Sequence, residues 1–144
     1  MKKSLSIFLL LFTILSYGQR ARIYSTEAGA IDGYDPVAYF KEGKPMRGNE
    51  SFTLEWKDAK WYFTSQENLE TFSKDPDKFA PQYGGYCAFG TSRGYKASTK
   101  ADAFTIYDGK LYLNYDKSVV EIWGKKKEEF IKKADENWKE IESK

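Results

Sequence analysis

The sequence predicts an α+β fold in which a small antiparallel sheet, built from hairpins, is combined with short helices and a long C-terminal amphipathic helix. Two segments alternate apolar and polar residues and then turn back, as the strands of a hairpin do. The C-terminal part instead repeats its apolar residues every three or four positions, which is the period of a helix with one buried face. No internal repeat or low-complexity linker divides the chain, so one domain is expected.

The first eighteen residues have the pattern of a secretory signal peptide. Lys2 and Lys3 precede an uncharged apolar run from Ser4 to Ser16, and Gly18 places a small residue at the expected cleavage position. A membrane span needs roughly 20 apolar residues, more than this run provides. The sequence therefore predicts export to the periplasm or the extracellular space, with no stable membrane anchor after cleavage.

Removal of this segment leaves a mature chain without net charge. The full sequence has 23 Lys and Arg against 21 Asp and Glu, and residues 1–18 contain two lysines and no acidic residue. A neutral domain has no general attraction for a phosphate backbone, so nucleic acid is not expected as a partner. Aromatic residues make up 17% of the sequence. Their burial is expected to stabilise a domain whose one cysteine cannot form an internal disulfide.

The N-terminal half of the mature chain contains a short helix and a hairpin. Residues 19–29 form an N-terminal segment with a weak strand at most. Asp35 and Pro36 are typical of an N-cap and a first helical residue, and they predict a helix that ends near Phe40. Residues 41–48 contain two glycines and a proline and predict a loop. Residues 49–63 predict a hairpin that turns at "KDAK".

A second helix is predicted after this hairpin. Thr64 and Glu67 have the spacing of a capping box, and Leu69 and Phe72 share one helical face. Pro76 ends this helix or opens another short turn. The glycines that follow indicate irregular backbone around Cys87; they are Gly84, Gly85, Gly90 and Gly94.

A second hairpin and a terminal helix complete the chain. Asp108 and Gly109 are a typical tight turn between strands at 104–107 and 110–114. The pattern is helical from Lys117 onward, with a kink or a division at Gly124. One apolar stripe runs along the last part of this helix; it consists of Phe130, Ala134, Trp138 and Ile141. If these faces are core, replacing Phe72 or Trp138 by alanine should cost roughly 3–5 kcal/mol.

Three segments, taken in order, resemble the YHS domain family. They are "GYDPVAYF" at 33–40, "WKDAKWYFTSQENLETFSKDPDKFAPQYGGYCA" at 56–88 and "DGKLYLNY" at 108–115. The full pattern is similar to the exported single-domain branch of that family. The resemblance implies one YHS-like domain over residues 30–144, including the C-terminal helix.

The same resemblance implies copper as a possible cofactor, but the matching residues do not fit. Metal-associated YHS domains have cysteines, which suit soft metal ions, at the positions that are Ala38, Thr64 and Asn68 here. The sequence has one cysteine and no histidine, whereas a tetrahedral zinc site draws four ligands mostly from these two residue types. We therefore expect that the metal site of those relatives is absent.

Cys87 is the main candidate for chemistry, and its role stays open. It is a buried small residue, an inert exposed thiol, or a working thiol whose thiolate needs a nearby cation or a helix N-terminus. Tyr83 and Tyr86 are its neighbours in the glycine-rich stretch and candidate ligand or redox residues. Met46, the second sulfur of the mature chain, is a weak candidate for a shared Cu(I) site.

The sequence contains no recognisable catalytic set. Without histidine, neither a Cys-His pair nor a serine triad is available, and acid–base work would fall to carboxylates such as Asp32, Asp102 or Asp116. Aromatic side chains also offer walls for a ligand pocket; they are Trp56, Trp61, Tyr62, Tyr83 and Tyr86.

These observations favour an exported, non-enzymatic module that binds a metal ion or a small ligand near Cys87. A thiol-based redox protein or other enzyme that uses Cys87 is one alternative. A structural or interaction protein in which Cys87 is buried is the other.

Overall fold

The computed structural model describes residues 21–144, so the predicted signal peptide lies outside the described residues. The strands are β1 (Ser25–Thr26), β2 (Gly29–Ala30), β3 (Asn49–Trp56), β4 (Ala59–Phe63), β5 (Phe104–Tyr107) and β6 (Lys110–Leu113). The helices are α1 (Pro36–Lys41), α2 (Gln66–Lys74), α3 (Pro76–Phe79), α4 (Ala88–Ser92), α5 (Lys117–Gly124) and α6 (Lys127–Ile141). Two 3₁₀ turns, at Ile31–Gly33 and Gln82–Gly85, connect them.

The predicted α+β class is confirmed, and the strands form hairpins. Over residues 21–144 the strands pair antiparallel as β1–β2, β3–β4 and β5–β6, and the three hairpins stay separate two-stranded sheets. Strand β2 lies beside β4 without pairing to it. Isolated two-stranded hairpins are marginally stable in water, so these must be stabilised by packing against helices and one another.

The β3–β4 hairpin turns where the sequence predicts it. Lys57 and Asp58 have φ angles of 50° and 59°, and Trp56 pairs with Ala59 on the far side of the turn. Two consecutive positive φ values match the right-handed twist of the strands. The Trp61 Nε1–H donates to the main-chain oxygen of Trp56 at 3.1 Å, which orients the Trp61 indole on this hairpin.

The described residues form two apolar cores. The first lies between the β3–β4 hairpin, α1 and α2, where the ring of Phe72 contacts those of Trp56, Trp61 and Phe63. The second lies under α6, where Trp123 packs on Tyr112 and Ala134 is fully buried. The cleft described below lies between elements of both cores.

Two local predictions need adjustment, and one open alternative is decided. Helix α2 is capped by Ser65 and not by Thr64, because the Thr64 hydroxyl donates to Asp35 instead. Strand β6 ends at Leu113, and Asn114 is fully buried, where its Oδ1 accepts the N–H of Phe89 at 3.0 Å. Gly124 divides the C-terminal helical region into α5 and α6, as one of the two expected possibilities had it.

No helix within residues 21–144 combines the length and apolar character that crossing a bilayer takes.

Two substitutions compare a fully buried ring of the first core with a half-buried ring that packs on the second core. Phe72→Ala should lower the free energy of unfolding by roughly 3–5 kcal/mol, because Phe72 is fully buried among three aromatic rings. Trp138→Ala should cost less than the sequence suggests, about 2 kcal/mol, because its indole is only half-buried. Urea denaturation of both variants measures the difference, and equal losses would contradict the partial exposure of Trp138.

Candidate functional site

The carboxylate of Asp35 connects three elements of the first core. Within the described part of the chain it accepts five hydrogen bonds. Its Oδ1 accepts from the main-chain N–H groups of Val37 and Ala38 and so caps α1. Its Oδ2 accepts from the N–H and hydroxyl of Thr64 and from the amide of Asn68, at 2.8–2.9 Å. Asp35 is fully buried, and these donors take the place of water around its charge.

The three positions at which the resemblance implies cysteine therefore meet around one side chain. Ala38 is buried beside Asp35, and Asn68 Nδ2 lies 3.1 Å from Thr64 Oγ1. In this chain the three positions belong to a closed hydrogen-bonded network that stabilises the fold. The residues present offer no thiolate for a soft metal ion.

Cys87 is 2% exposed and caps α4. Its sulfur accepts the N–H of Gly90 and donates to Asn114 Oδ1, each at 3.4 Å. Burial raises the pKa of the Cys87 thiol, although the hydrogen bond from the Gly90 N–H acts in the opposite direction. The thiol is therefore held in its protonated, weakly nucleophilic form at neutral pH.

The cations that follow Cys87 in the sequence have other contacts. Arg93 lies over the Phe89 ring and Lys100 over the Tyr115 ring. The Lys96 ammonium donates to main-chain oxygens at the end of α6, those of Glu142 at 2.9 Å and Lys144 at 3.0 Å. Oxygens at a helix C-terminus favour a positive charge, so Lys96 anchors this end of α6.

Met46 is hydrogen-bonded to Asp35, whereas Cys87 is hydrogen-bonded to Asn114. The main-chain oxygen of Met46 accepts the N–H of Asp35, and the adjacent Arg47 forms an isolated antiparallel β-bridge with Tyr34. Over residues 21–144 no group of three or more His, Cys, Asp or Glu side chains is arranged to hold a metal ion.

The carboxylates considered for acid–base work have separate local roles. Asp116 caps α5 by accepting the N–H of Val119 at 2.9 Å, and its hydrogen bond from Ser118 lowers its pKa. Asp102 lies 3.6 Å from the Lys117 ammonium. Asp32 accepts the hydroxyl of Thr26 and lies at the positive-φ turn that follows β2. Asp32 and Asp102 nevertheless line one surface cleft, together with Lys100.

Tyr83, Tyr86 and Cys87 are close in sequence but point to different parts of the structure. The Tyr86 hydroxyl donates to the main-chain oxygen of Ala21 at 2.6 Å. The Tyr83 hydroxyl donates to Asp135 Oδ1 on α6 at 2.9 Å. The rings of Tyr83 and Tyr86 both contact the Trp138 ring, at centroid distances of 6.2 and 6.3 Å, whereas the Cys87 thiol donates to Asn114. The structure therefore brings the two tyrosines together at Trp138 but does not show Cys87 joining them.

Tyr83 has an unusual backbone conformation. Its φ of 59° is left-handed, and so is the φ of 62° at Gly84. A side chain at Gly84 would overlap the main chain of Arg22, so glycine is required for the close approach of these segments. Burial raises the pKa of Tyr83 far above its ordinary value, and the Asp135 carboxylate acts in the same direction. Tyr83 is thus a neutral hydrogen-bond donor. Its hydroxyl is held by Asp135, and its backbone is held by the close approach of Gly84 to Arg22.

Tyr83 also lies in the wall of a cleft, named here the Tyr83 cleft, with a volume of about 330 Å³. Trp56 from β3 and Trp138 from α6 line it, together with the segment from Pro81 to Gly84. Charged side chains of both signs also line it, three basic and three acidic: Arg22, Lys57, Lys139, Asp77, Asp135 and Glu142. The cleft therefore combines aromatic surface with charged groups, as sites for small ligands commonly do.

The sequence indicated part of this cleft. Trp56 and Tyr83 were expected as walls, whereas Trp61 is fully buried in the first core and Tyr62 packs closely against Gly29. Trp138 was expected in the core stripe. The Tyr83–Asp135 hydrogen bond joins residues 52 positions apart, so no local pattern signals it.

Comparisons of the chain with protein-family models, with curated proteins and with solved structures give no match. The resemblance to YHS domains therefore stays a prediction that rests on the three quoted segments.

The Asp35 network yields a stability prediction. Asp35→Ala should lower the free energy of unfolding by about 3–5 kcal/mol, because it leaves a set of buried donors without their acceptor. Thr64→Val removes one of those donors and should cost about 1 kcal/mol. Chemical denaturation measures both losses, with Glu50→Ala on an exposed part of β3 as the control. An Asp35→Ala variant as stable as this control would refute the network's role.

Burial of Cys87 predicts slow alkylation. In native buffer, iodoacetamide should modify the thiol orders of magnitude more slowly than free cysteine, and the rate should rise with urea in parallel with unfolding. Mass spectrometry follows the reaction, and Cys87→Ser serves as the unreactive control. Stoichiometric labelling of the folded protein within minutes would show instead that the thiol is accessible.

Proposed function

We propose that the mature chain is an exported, non-enzymatic binding module and that it holds a small ligand in the Tyr83 cleft. The observation that carries this proposal is the meeting of Trp56, Tyr83 and Trp138, from three separate segments, around a volume of about 330 Å³. Clefts of this size with aromatic walls and a few polar groups are where small molecules bind.

The construction of the cleft supports the proposal. Tyr83 is kept in a strained left-handed conformation by its hydrogen bond to Asp135 and by the contact of Gly84 with the segment around Arg22. Backbone strain of this kind costs of order 1–3 kcal/mol and is concentrated at binding and active sites. The main-chain N–H of Tyr24 also donates to the oxygen of Gly84 at 2.8 Å, which ties this wall to the N-terminal segment without a ligand. A preformed site loses less free energy on binding than one that must be ordered.

The ligand is assigned to the Tyr83 cleft and not to the surroundings of Cys87. The thiol is buried, hydrogen-bonded and protonated, so a ligand would reach it only after α4 opened. The wall of the cleft, in contrast, contains half-buried indoles and exposed charges. Tyr83, a predicted ligand candidate, lines it, whereas the hydroxyl of Tyr86 holds the N-terminal segment.

The composition of the sequence supports the other parts of the proposal. Without histidine the common nucleophile–base pairs are unavailable, which favours binding over catalysis. The balance of charges in the mature chain and in the cleft gives no attraction for nucleic acid. The signal-peptide pattern of residues 1–18 supports export.

The four tryptophans provide a direct test by nuclear magnetic resonance. When a fragment library is screened against ¹⁵N-labelled protein, binding fragments should shift the indole N–H signals of Trp56 and Trp138, because these two indoles line the cleft. The signal of Trp123 should stay in place, because this indole is fully buried in the second core and serves as the internal control. Trp61 packs against Trp56, so its signal is not used as a control.

Variants locate the same site independently. Tyr83→Phe should weaken fragments that shift the two cleft indoles, whereas Tyr95→Phe, at an exposed tyrosine that does not line the cleft, should leave them unchanged. The proposal fails if no fragment shifts Trp56 or Trp138, or if the shifts centre on Cys87 and Asn114.

A further inference from the structure

We infer that the ligand of the Tyr83 cleft is a zwitterion with a quaternary ammonium group and a carboxylate, that is, a betaine; this inference rests on the proposed function. The aromatic walls are the first argument. The electron-rich faces of tryptophan and tyrosine attract cations, and groups of such rings are the typical receptors for quaternary ammonium ions. Trp56 and Trp138 supply two half-buried indoles to one cleft, beside Tyr83, which is 5% exposed.

The protein's own lysines show that the two indoles attract positive charge. The Lys57 ammonium lies 4.7 Å from the centroid of the Trp56 ring, and the Lys96 ammonium lies 5.5 Å from that of Trp138. Lys96 is buried and bound to main-chain oxygens of α6, so it is a fixed part of the structure. Lys57 is exposed at a hairpin turn and lines the cleft. A ligand cation therefore competes with Lys57 for the face of Trp56.

The charged lining favours a zwitterion over a simple ion. Three basic and three acidic side chains line the cleft, so a ligand with one charge would meet repulsion as well as attraction. A ligand with both charges is complementary to both sets. The carboxylates of Asp135 and Asp77 then face its ammonium group, and Lys139 or Arg22 faces its carboxylate. Arg22 contacts Asp58 at 3.7 Å, but both side chains are exposed and such pairs are weak, so this guanidinium is available.

Glycine betaine and tert-butylacetate form a matched pair of probes. They have the same shape and carboxylate, and differ in that the charged nitrogen of betaine is a neutral carbon in tert-butylacetate. The purified protein should bind betaine about tenfold more tightly, because only betaine gains the cation–ring attraction. Titrations followed by the indole N–H signals of Trp56 and Trp138 give both affinities. Choline, which lacks the carboxylate, should bind more weakly than betaine.

Two lysine variants on the same hairpin sharpen the test. Lys57→Gln should tighten betaine binding severalfold, because it removes the ammonium that competes for Trp56. Lys60→Gln is the matched control, since Lys60 lies over Tyr62 outside the cleft, and it should leave the affinity unchanged. Lys139→Gln should weaken the binding of betaine and spare that of choline, because only betaine has a carboxylate for Lys139 to contact.

The outcomes separate this inference from the proposed function. Equal affinity for betaine and tert-butylacetate, with both cleft indoles shifted, would overturn the inference and leave the Tyr83 cleft as a ligand site. Absence of betaine binding would also overturn it, and the fragment screen would then decide the proposed function by itself. A Lys57→Gln variant that binds betaine more weakly would contradict the competition argument.

Discussion

The buried carboxylate of Asp35 is the interaction on which the rest of the structure depends. It caps α1 through its Oδ1, and through its Oδ2 it holds Thr64 at the end of β4 and Asn68 in α2. A charge in an apolar interior is stable only when donors surround it, so these segments must assemble together. Once they do, α1 and α2 enclose the first core and the β3–β4 hairpin lies against them.

The position of the Tyr83 cleft follows from this assembly and from the anchoring of α6. The β3–β4 hairpin places Trp56 on one side of the cleft. On the other side, Lys96 binds the main-chain oxygens at the end of α6, and the Tyr83 hydroxyl binds Asp135 one helical turn before Trp138. The two aromatic walls thus belong to elements that pack in different cores. Their separation is set by the buried contacts of both cores, which explains how a small domain without disulfides keeps a cleft open.

Local structure was predictable wherever the signal lies within a few residues. The positive φ angles of Lys57, Asp58, Asp108 and Gly109 occur at the turns that the sequence indicates, because such turns select residues that tolerate this conformation. Helix α1 begins after Asp35 for the same local reason. The capping box at Thr64 was misplaced by one residue because a tertiary partner, Asp35, binds the Thr64 hydroxyl and leaves the cap to Ser65. Trp138 is spaced along α6 like a residue of the buried face, but this spacing alone does not show that a cleft lies beside it.

The sequence by itself determined the α+β class, the two longer hairpins and their turns, a break in the C-terminal helical region at Gly124 and the scarcity of thiol and imidazole ligands. These properties depend on residue types and on contacts between near neighbours. Only the tertiary structure decided that Cys87 is buried against Asn114, that Thr64 and Asn68 meet at Asp35, and that Tyr83 faces Asp135 in a cleft. Those partners are separated by 27 to 52 positions in the chain. Which of them meet is therefore decided by how the two cores pack and not by any local pattern.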